Sequence, residues 1–379
     1  MSTADRPETR LATRLAFLVA GFGVACWAPL VPFAKARLQI DEGTLGLLLL
    51  CLGVGSIAAM LLTGVLGTRY GSRPIILAGG FGLVVCMPLL AVAASPVSLG
   101  LTLVAFGAAL GSLDVAMNIH AVEVERAARR PLMSGFHAFF SIGGFAGAAV
   151  ITVLLSANVA PFATTLVASL AMAIAMVGAS PRLLRASHSE GGPLIVAPRG
   201  IVLLLATSAA VMFLVEGAIL DWSALLITEK GLVREARGGL GYSMFAIAMT
   251  AGRLGGDFVT ARVGDRATLF WGGLTTMAGF GVLLAAPIPA IAMSGFLLIG
   301  LGASNIVPVL FRGAGAQRAM PAGLAVAAIT TAGYSGILVG PAGIGFVARM
   351  AGLPVAFWLL ALLVGAVVLS ARAVTAQQK

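Results

Sequence analysis

Twelve apolar runs, each close to the length that crosses a bilayer, occupy almost all of this chain. They read as residues 15–34, 43–67, 74–94, 97–121, 132–155 and 159–179, then 200–222, 239–261, 267–287, 290–311, 322–347 and 353–371. A transmembrane helix needs about 20 largely apolar residues. Composition agrees: of 379 residues, 59% are hydrophobic and 10% charged, against roughly 25% charged in soluble domains. Mean hydropathy is +1.04. Too little polar surface remains to cover a water-soluble core, which excludes disulfide scaffolds, disordered tails and soluble nucleic-acid binders. The net charge of +10 is dispersed between the runs, where membrane proteins carry their loop charges, so no nucleic-acid partner is expected. Cys26, Cys51 and Cys86 lie inside apolar runs and say nothing about redox compartment. β-Barrel alternation is absent. The 49 glycines and 17 prolines suit close helix packing and tolerated kinks in lipid. The expected fold is an all-α membrane protein, a bundle of twelve transmembrane helices in a lipid bilayer.

An even number of spans puts both termini on one side, and basic residues choose the side. Lys35, Arg37, Lys230, Arg234, Arg237 and Arg349 fall on one side, and the other 18 of the 24 Lys and Arg fall opposite. Both termini are therefore expected in the cytoplasm. Met1–Arg14 reads as a short polar tail, and the run after it is too long for a cleaved signal, so it stays as helix one. The longest polar stretch, Ser180–Arg199, carries Arg182, Arg185, His188, Glu190 and Pro198. It divides the chain into an N-terminal six-helix bundle at 1–179, a cytoplasmic linker at 180–199 and a C-terminal six-helix bundle at 200–379. The halves match at three places. Arg69-Tyr70-Gly71-Ser72-Arg73 answers Arg262-Val263-Gly264-Asp265-Arg266 at an offset of 193 (262 against 69). Trp27-Ala28 answers Trp222-Ser223 at 195 (222 against 27), and Gly111-Ser112-Leu113-Asp114 answers Gly302-Ala303-Ser304-Asn305 at 191 (302 against 111). The expectation is a parallel six-helix repeat, with Asn305 at the repeat position of Asp114.

Six plus six spans, a basic loop after spans two and eight and a polar linker resemble the major facilitator superfamily over essentially the whole chain. Its loop motif reads Gly-x-x-x-Asp-Arg-x-Gly-Arg-Arg/Lys. Gly64, Arg69, Gly71 and Arg73 fit, whereas Thr68 stands at the Asp position and Ser72 at an Arg position. In the second copy Ala261 takes the acidic position ahead of Arg262 and Arg266. The charge relay that the resemblance implies for this motif would rest on another acid, such as Asp257. Gly111-Ser112-Leu113-Asp114-Val115-Ala116-Met117-Asn118 is similar to the Gly-x-Leu-Glu-x-Ala-x-Asn segment of fucose–proton symporters. His137-Ala138-Phe139-Phe140-Ser141-Ile142-Gly143 falls where that group carries Gln-x-Phe-Asn-Ser-x-Gly. The resemblance implies a site carboxylate at Asp114. The group's Gln and Asn sugar contacts would fall on His137 and Phe140, and its span-one acid at Ala28. Glu216-Gly217-Ala218-Ile219-Leu220-Asp221-Trp222-Ser223 resembles the span-seven signature of the YbjJ-like bacterial permeases.

Charges at membrane depth are expensive, so each needs a reason. Asp114 lies deep in span four, and Asn118 follows at i+4 on the same helix face. Burial disfavours the charged form of a carboxyl, which suits Asp114 to loading and releasing a proton; the alternative is a protonated Asp holding helices together. Glu216 in span seven is the second proton-coupling candidate, or else the partner of an Arg. His137 in span five is the third, since imidazole titrates near neutral pH, or else a packing residue. Asn118, Asn305, Trp27, Phe139, Phe140 and Ser141 are the substrate-binding candidates. Gly64, Arg69, Gly71, Arg73, Arg253, Asp257, Arg262 and Arg266 form the gating set, with Arg253 and Asp257 most simply paired at i and i+4 near the inner end of span eight. Asp221 reads as a helix-end residue, Trp222 as an interfacial anchor, His120 as interfacial and His188 as solvated. Pro29, Pro32 and Gly340-Pro341 are the expected kinks.

Rival classes find little support. Gly333-Tyr334-Ser335-Gly336 matches the Gly-x-Ser-Gly of rhomboid-type proteases, but no histidine follows it. A phosphate-binding Gly-x4-Gly-Lys-Ser/Thr loop is absent, and the only lysines are Lys35, Lys230 and Lys379. Energy must come from a gradient, so neither an enzyme, a cofactor nor a metal is expected. The reading is a monomeric secondary transporter of the bacterial inner membrane. It takes up a small polar, sugar-like solute with protons by alternating access. The alternatives are a proton antiporter exporting amphipathic compounds and a non-transporting membrane sensor.

Overall fold

Lipid offers no hydrogen bonds, so a spanning segment must satisfy its backbone internally, and a helix does so residue by residue. The computed structural model describes residues 6–40, 42–184, 198–233 and 239–376, and among these there is no strand. Arg185, His188, Glu190, Arg234, Arg237 and Lys379 lie outside the described residues, as do the side chains of Thr68 and Pro341.

The helices are α1 (Pro7–Trp27), α2 (Val31–Leu38), α3 (Glu42–Tyr70), α4 (Ser72–Val92), α5 (Pro96–Ala128), α6 (Met133–Ser156) and α7 (Pro161–Ala179), followed by α8 (Ile201–Glu229), α9 (Leu240–Val263), α10 (Asp265–Ala285), α11 (Pro289–Ala303), α12 (Ile306–Ala316), α13 (Ala322–Ala351) and α14 (Leu353–Thr375). Two spans are divided. Pro29 sits in a 3₁₀ turn, Ala28–Leu30, between α1 and α2, and span ten breaks at Ser304–Asn305 between α11 and α12. α13 runs on through Gly340-Pro341 as one helix. Among the described residues eleven helical segments are long and apolar enough to cross a membrane. The remaining expected span, α9, is 24 residues long but interrupts its apolar run with Arg253, Asp257 and Arg262. One correction concerns Met1–Arg14: α1 begins at Pro7, a proline in the first turn, where its missing N–H costs nothing. Thr9 and Thr13 are therefore buried helix residues rather than tail.

The described residues fall into two compact units, one within Met1–Arg129 and Phe136–Val196, the other within Arg130–Gly135 and Ala197–Lys379. In the first, α3 and α4 pack on α5, α4 also packs on α7, and α1 packs on α5 and α7. In the second, α13 packs on α8, α11 on α9 and α10, and α14 on α10. Glycine makes the closest approaches possible. A Cβ on Gly107 would strike the Leu52 carbonyl, and one on Gly300 would strike the Phe245 carbonyl. These positions differ by 193 throughout (300 against 107, 245 against 52). Gly79 against Ala109 and Gly272 against Gly302 repeat the same offset. So do Gly71 (φ 76) and Gly264 (φ 81), which end α3 and α9 in the left-handed backbone that glycine allows.

The repeat expected from sequence is thus built into the packing of spans two to four against spans eight to ten. There the offset corrects one pairing: Ser112, not Asp114, stands opposite Asn305.

Candidate functional site

In the first unit, Asp114 and Asn118 lie well inside α5, at 8% and 1% exposure. The Asn118 Nδ2 amide donates to the Asp114 backbone carbonyl at 2.9 Å and reaches the carboxylate Oδ1 at 3.4 Å. The i+4 spacing has put both on one face and in contact. Asn118 Oδ1 is buried with no hydrogen-bond partner among the described residues.

His120, two residues on, is fully buried rather than interfacial. The Leu184 backbone N–H donates to its Nε2 at 3.0 Å, so the ring proton sits on Nδ1. Nδ1–H then donates to Thr13 Oγ1 at 3.1 Å, and the Thr13 hydroxyl donates to the Thr9 carbonyl at 2.9 Å. This neutral chain ties α1, α5 and the residue after α7's terminal turn together. His120→Ala would strand the part-buried Leu184 N–H and open a cavity. Cost estimates of about 2–4 kcal/mol follow, and thermal unfolding in detergent should fall by several degrees; an unchanged midpoint would show that the chain carries no stability.

The same Thr13–His120 contact sets the depth of the neighbours. Spans one and four run in opposite directions, so Phe17 on α1 comes level with roughly residue 116 on α5. The His137 ring stands edge-on to Phe17, with centroids 5.2 Å apart. His137 therefore shares the depth of Asp114 and Asn118. Ser141 Oγ donates to the His137 carbonyl at 3.4 Å. Phe139 lies under the Arg14 guanidinium, 5.5 Å from its centre, and the Phe140 backbone abuts Gly21. Trp27 closes α1 at 5% exposure, its indole N–H without a partner among the described residues.

The second unit has its own polar centre. Glu216 lies midway along α8 and Arg253 midway along α9, with Arg253 Nη2 3.7 Å from Glu216 Oε2. The Arg253 Nε–H also points to the Ser304 carbonyl at 3.4 Å, in the α11–α12 break. Asn305 braces that break, its Nδ2 donating to the Gly252 carbonyl at 3.0 Å and to Ser304 Oγ at 2.9 Å. Glu216 thus has an ion-pair partner in Arg253. Arg253 belongs to this centre and not to the inner end of the span.

Asp257 reaches elsewhere too. Its carboxylate accepts from the backbone N–H groups of Ser134 (2.9 Å) and Gly135 (2.8 Å), in the first turn of α6. Those donors have no partner within a helix, and the positive end of the helix dipole favours an anion there. In the rest of the gating set, Gly64 is buried, Arg69 lies over Tyr70 (5.3 Å), Arg73 donates to the Ser180 carbonyl (3.2 Å), Arg262 lies over Phe258 (3.7 Å), and Arg266 is exposed. Asp221 is exposed, and Trp222 packs against Gly345 of α13. Thr13 and Leu184 leave no mark in the motifs: Thr13 stands in an apparent tail, and Leu184 acts through its backbone N–H.

A helical bundle made from an internal repeat, with a buried carboxyl in one half and an ion pair midway along the spans of the other, defines a multi-pass membrane transporter. The profile of the Major Facilitator Superfamily matches residues 14–332, and the chain belongs to that family. It is 48% identical over 367 residues to an MFS-type transporter of Yersinia pestis, covering 97% of this chain and 96% of that one. It is 30% identical over 347 residues to the membrane protein MosC of Rhizobium meliloti, covering 91% and 85%. Its fold is similar to that of the fucose:proton symporter FucP of E. coli (TM-score 0.76, 15% identity, covering 97% and 98%). It is also similar to that of the human organic anion transporter MFSD10 (TM-score 0.75, 16% identity, covering 97% and 100%). The protein is a transporter and not an enzyme.

Proposed function

We propose that this chain is a proton-coupled secondary transporter that takes up a small polar solute across the bacterial inner membrane, with both termini in the cytoplasm. The Asp114–Asn118 contact carries the reading. A carboxyl enclosed in the middle of a spanning helix, with one amide donor and, among the described residues, no cation bonded to it, is costly when charged. Protonation removes that cost, so the loaded and unloaded forms differ in how readily the surrounding helices close over them. Alternating access converts that difference into coupling. Bacterial relatives and the excess of basic residues on the side of the termini support the location and orientation. Asn118, Trp27, Phe139, Phe140 and Ser141 on the first unit and Asn305 on the second are the residues proposed to meet the solute, and His137 to pass protons at the depth of Asp114.

The test is proton flux in proteoliposomes loaded with a pH-sensitive dye. Pools of sugars, organic acids, amino acids and amphipathic cations are added in turn. One pool should drive protons inward. Silence from every pool, with the protein shown folded, would remove proton coupling from the reading.

A further inference from the structure

Between α3, α4 and α5 the surface of the first unit is cut by a groove of about 470 Å³. Its lining is apolar apart from Thr63, Ser112 and the hydroxyl of Tyr70. Leu62, Leu66 and Ala78 of that lining are exposed, which marks a face turned to lipid rather than a path for a polar solute. The floor is the tight crossing at which a Cβ on Gly79 would strike the Ala109 carbonyl. Along α3 the groove runs from Tyr70, the last residue of the helix, back to Ala59. That stretch rises about 16 Å at roughly 1.5 Å per residue, and half of a hydrocarbon core of ~30 Å is about 15 Å. The groove is one leaflet deep. At its mouth Arg69 is exposed and holds its guanidinium over the Tyr70 ring, 5.3 Å from the centre. Thr68 stands where the family's loop motif has its acid, so no carboxylate precedes this cation in the chain. Arg73, beside Pro74 of the lining, is turned to the Ser180 carbonyl instead.

The second half does not keep this arrangement. At the offset of 193, Ala78 and Ala108 answer Trp271 and Leu301 (271 against 78, 301 against 108), and Tyr70 answers Val263. Arg262, the counterpart of Arg69, lies over Phe258 of its own helix. A surface that only has to face lipid can carry Trp and Leu at these positions, as the second half does. The two alanines of the first half leave a volume for something else to fill. We propose that this groove holds one anionic phospholipid of the inner leaflet, with an acyl chain laid between α3, α4 and α5 and its phosphate on Arg69. A guanidinium suits a phosphate through paired N–H donors, and a tyrosine at the end of a span sits at headgroup level. Basic pockets between spanning helices on the cytoplasmic side take anionic headgroups in this way. The leaflet follows from the orientation proposed above, whereas the groove and its cation do not depend on how the chain transports.

Native mass spectrometry of the full chain tests both parts of the site, in detergent with equimolar phosphatidylglycerol and phosphatidylcholine of the same acyl chains. Wild-type protein should retain one phosphatidylglycerol in preference to phosphatidylcholine. Ala78→Trp, which puts the second half's side chain into the groove, should retain neither. Ala78 is exposed, so the indole is added on the lipid side and not in the core. Arg69→Gln should still hold a lipid but with its preference for phosphatidylglycerol lowered about five-fold, the effect of one basic residue near an anionic headgroup. Arg372→Gln, which removes an exposed cation on α14, should change neither retention nor preference. Glycerol 3-phosphate, a headgroup without chains, should leave the lipid in place; displacement would show a phosphate site and not a lipid site. Equal retention of the two lipids by wild type, undiminished retention in Ala78→Trp, or the same loss of preference in Arg372→Gln would overturn the assignment. The wild-type comparison holds even if a variant does not fold.

Discussion

Proteoliposomes carrying Asp114→Asn should show no solute accumulation above the outside concentration, while exchange of labelled for unlabelled solute continues within a few-fold of wild type. The two processes separate because they ask different things of residue 114. Accumulation needs a group that alternates between charged and neutral forms; exchange needs only that the loaded form can move. Asparagine has the shape of a protonated aspartate and can still meet the Asn118 amide that now lies 3.4 Å from Oδ1. It also removes the cost of a charged carboxyl at the centre of a helix, for which insertion scales give about 2.5–3.5 kcal/mol. The variant should therefore be at least as resistant to heat as the wild type, so lost accumulation could not be blamed on misfolding. Asp114→Glu keeps the titrating group and should retain part of the accumulation. Uphill transport by Asp114→Asn at the wild-type ratio would take the coupling role away from this residue.

The spans were legible because their length and composition are set by the bilayer, a solvent that acts on every residue alike. What misled was local polarity. Thr9, Arg10, Thr13 and Arg14 look like a tail only until His120 and Phe139 are seen to receive Thr13 and Arg14. The Asp114–Asn118 contact was legible because it lies within one helix, where i+4 fixes the geometry. Arg253 was misplaced for the opposite reason. Two of its partners, Glu216 on another helix and a carbonyl in a break of a third, are ones to which no spacing within α9 points. Asp257 is similar, since its ligands are backbone N–H groups that leave no mark on side-chain identity. The repeat was visible in outline but not in register. Side chains have drifted between the halves, whereas the crossings at Gly79 and Gly107 keep their glycine at Gly272 and Gly300, because the backbone opposite leaves no room for a Cβ.

That last point gives the largest expected effect on folding. Gly107→Ala on α5 and Gly300→Ala on α11 should each abolish recovery of monodisperse protein. The added Cβ would meet the Leu52 carbonyl in the first case and the Phe245 carbonyl in the second, closer than real atoms approach. Neither obstacle is the tip of a flexible side chain; each is the backbone of a neighbouring spanning helix. Room can be made only by moving one helix off the other, which also breaks the Ser56 hydroxyl's hydrogen bond to the Gly107 carbonyl, 2.9 Å. Small residues at such crossings let helices in lipid reach full van der Waals contact. Losing that contact along two helices exceeds the usual overpacking cost of about 1–3 kcal/mol. Gly255→Ala on α9 is the control. Nothing lies within 4 Å of its added Cβ, and alanine favours a helix interior over glycine by roughly 0.5–1 kcal/mol, so this variant should be recovered as well as wild type or better. The comparison is read by fluorescence-detected size exclusion and thermal midpoint. Equal recovery of all three variants would mean that the crossings are looser than the contacts at Gly107 and Gly300 require.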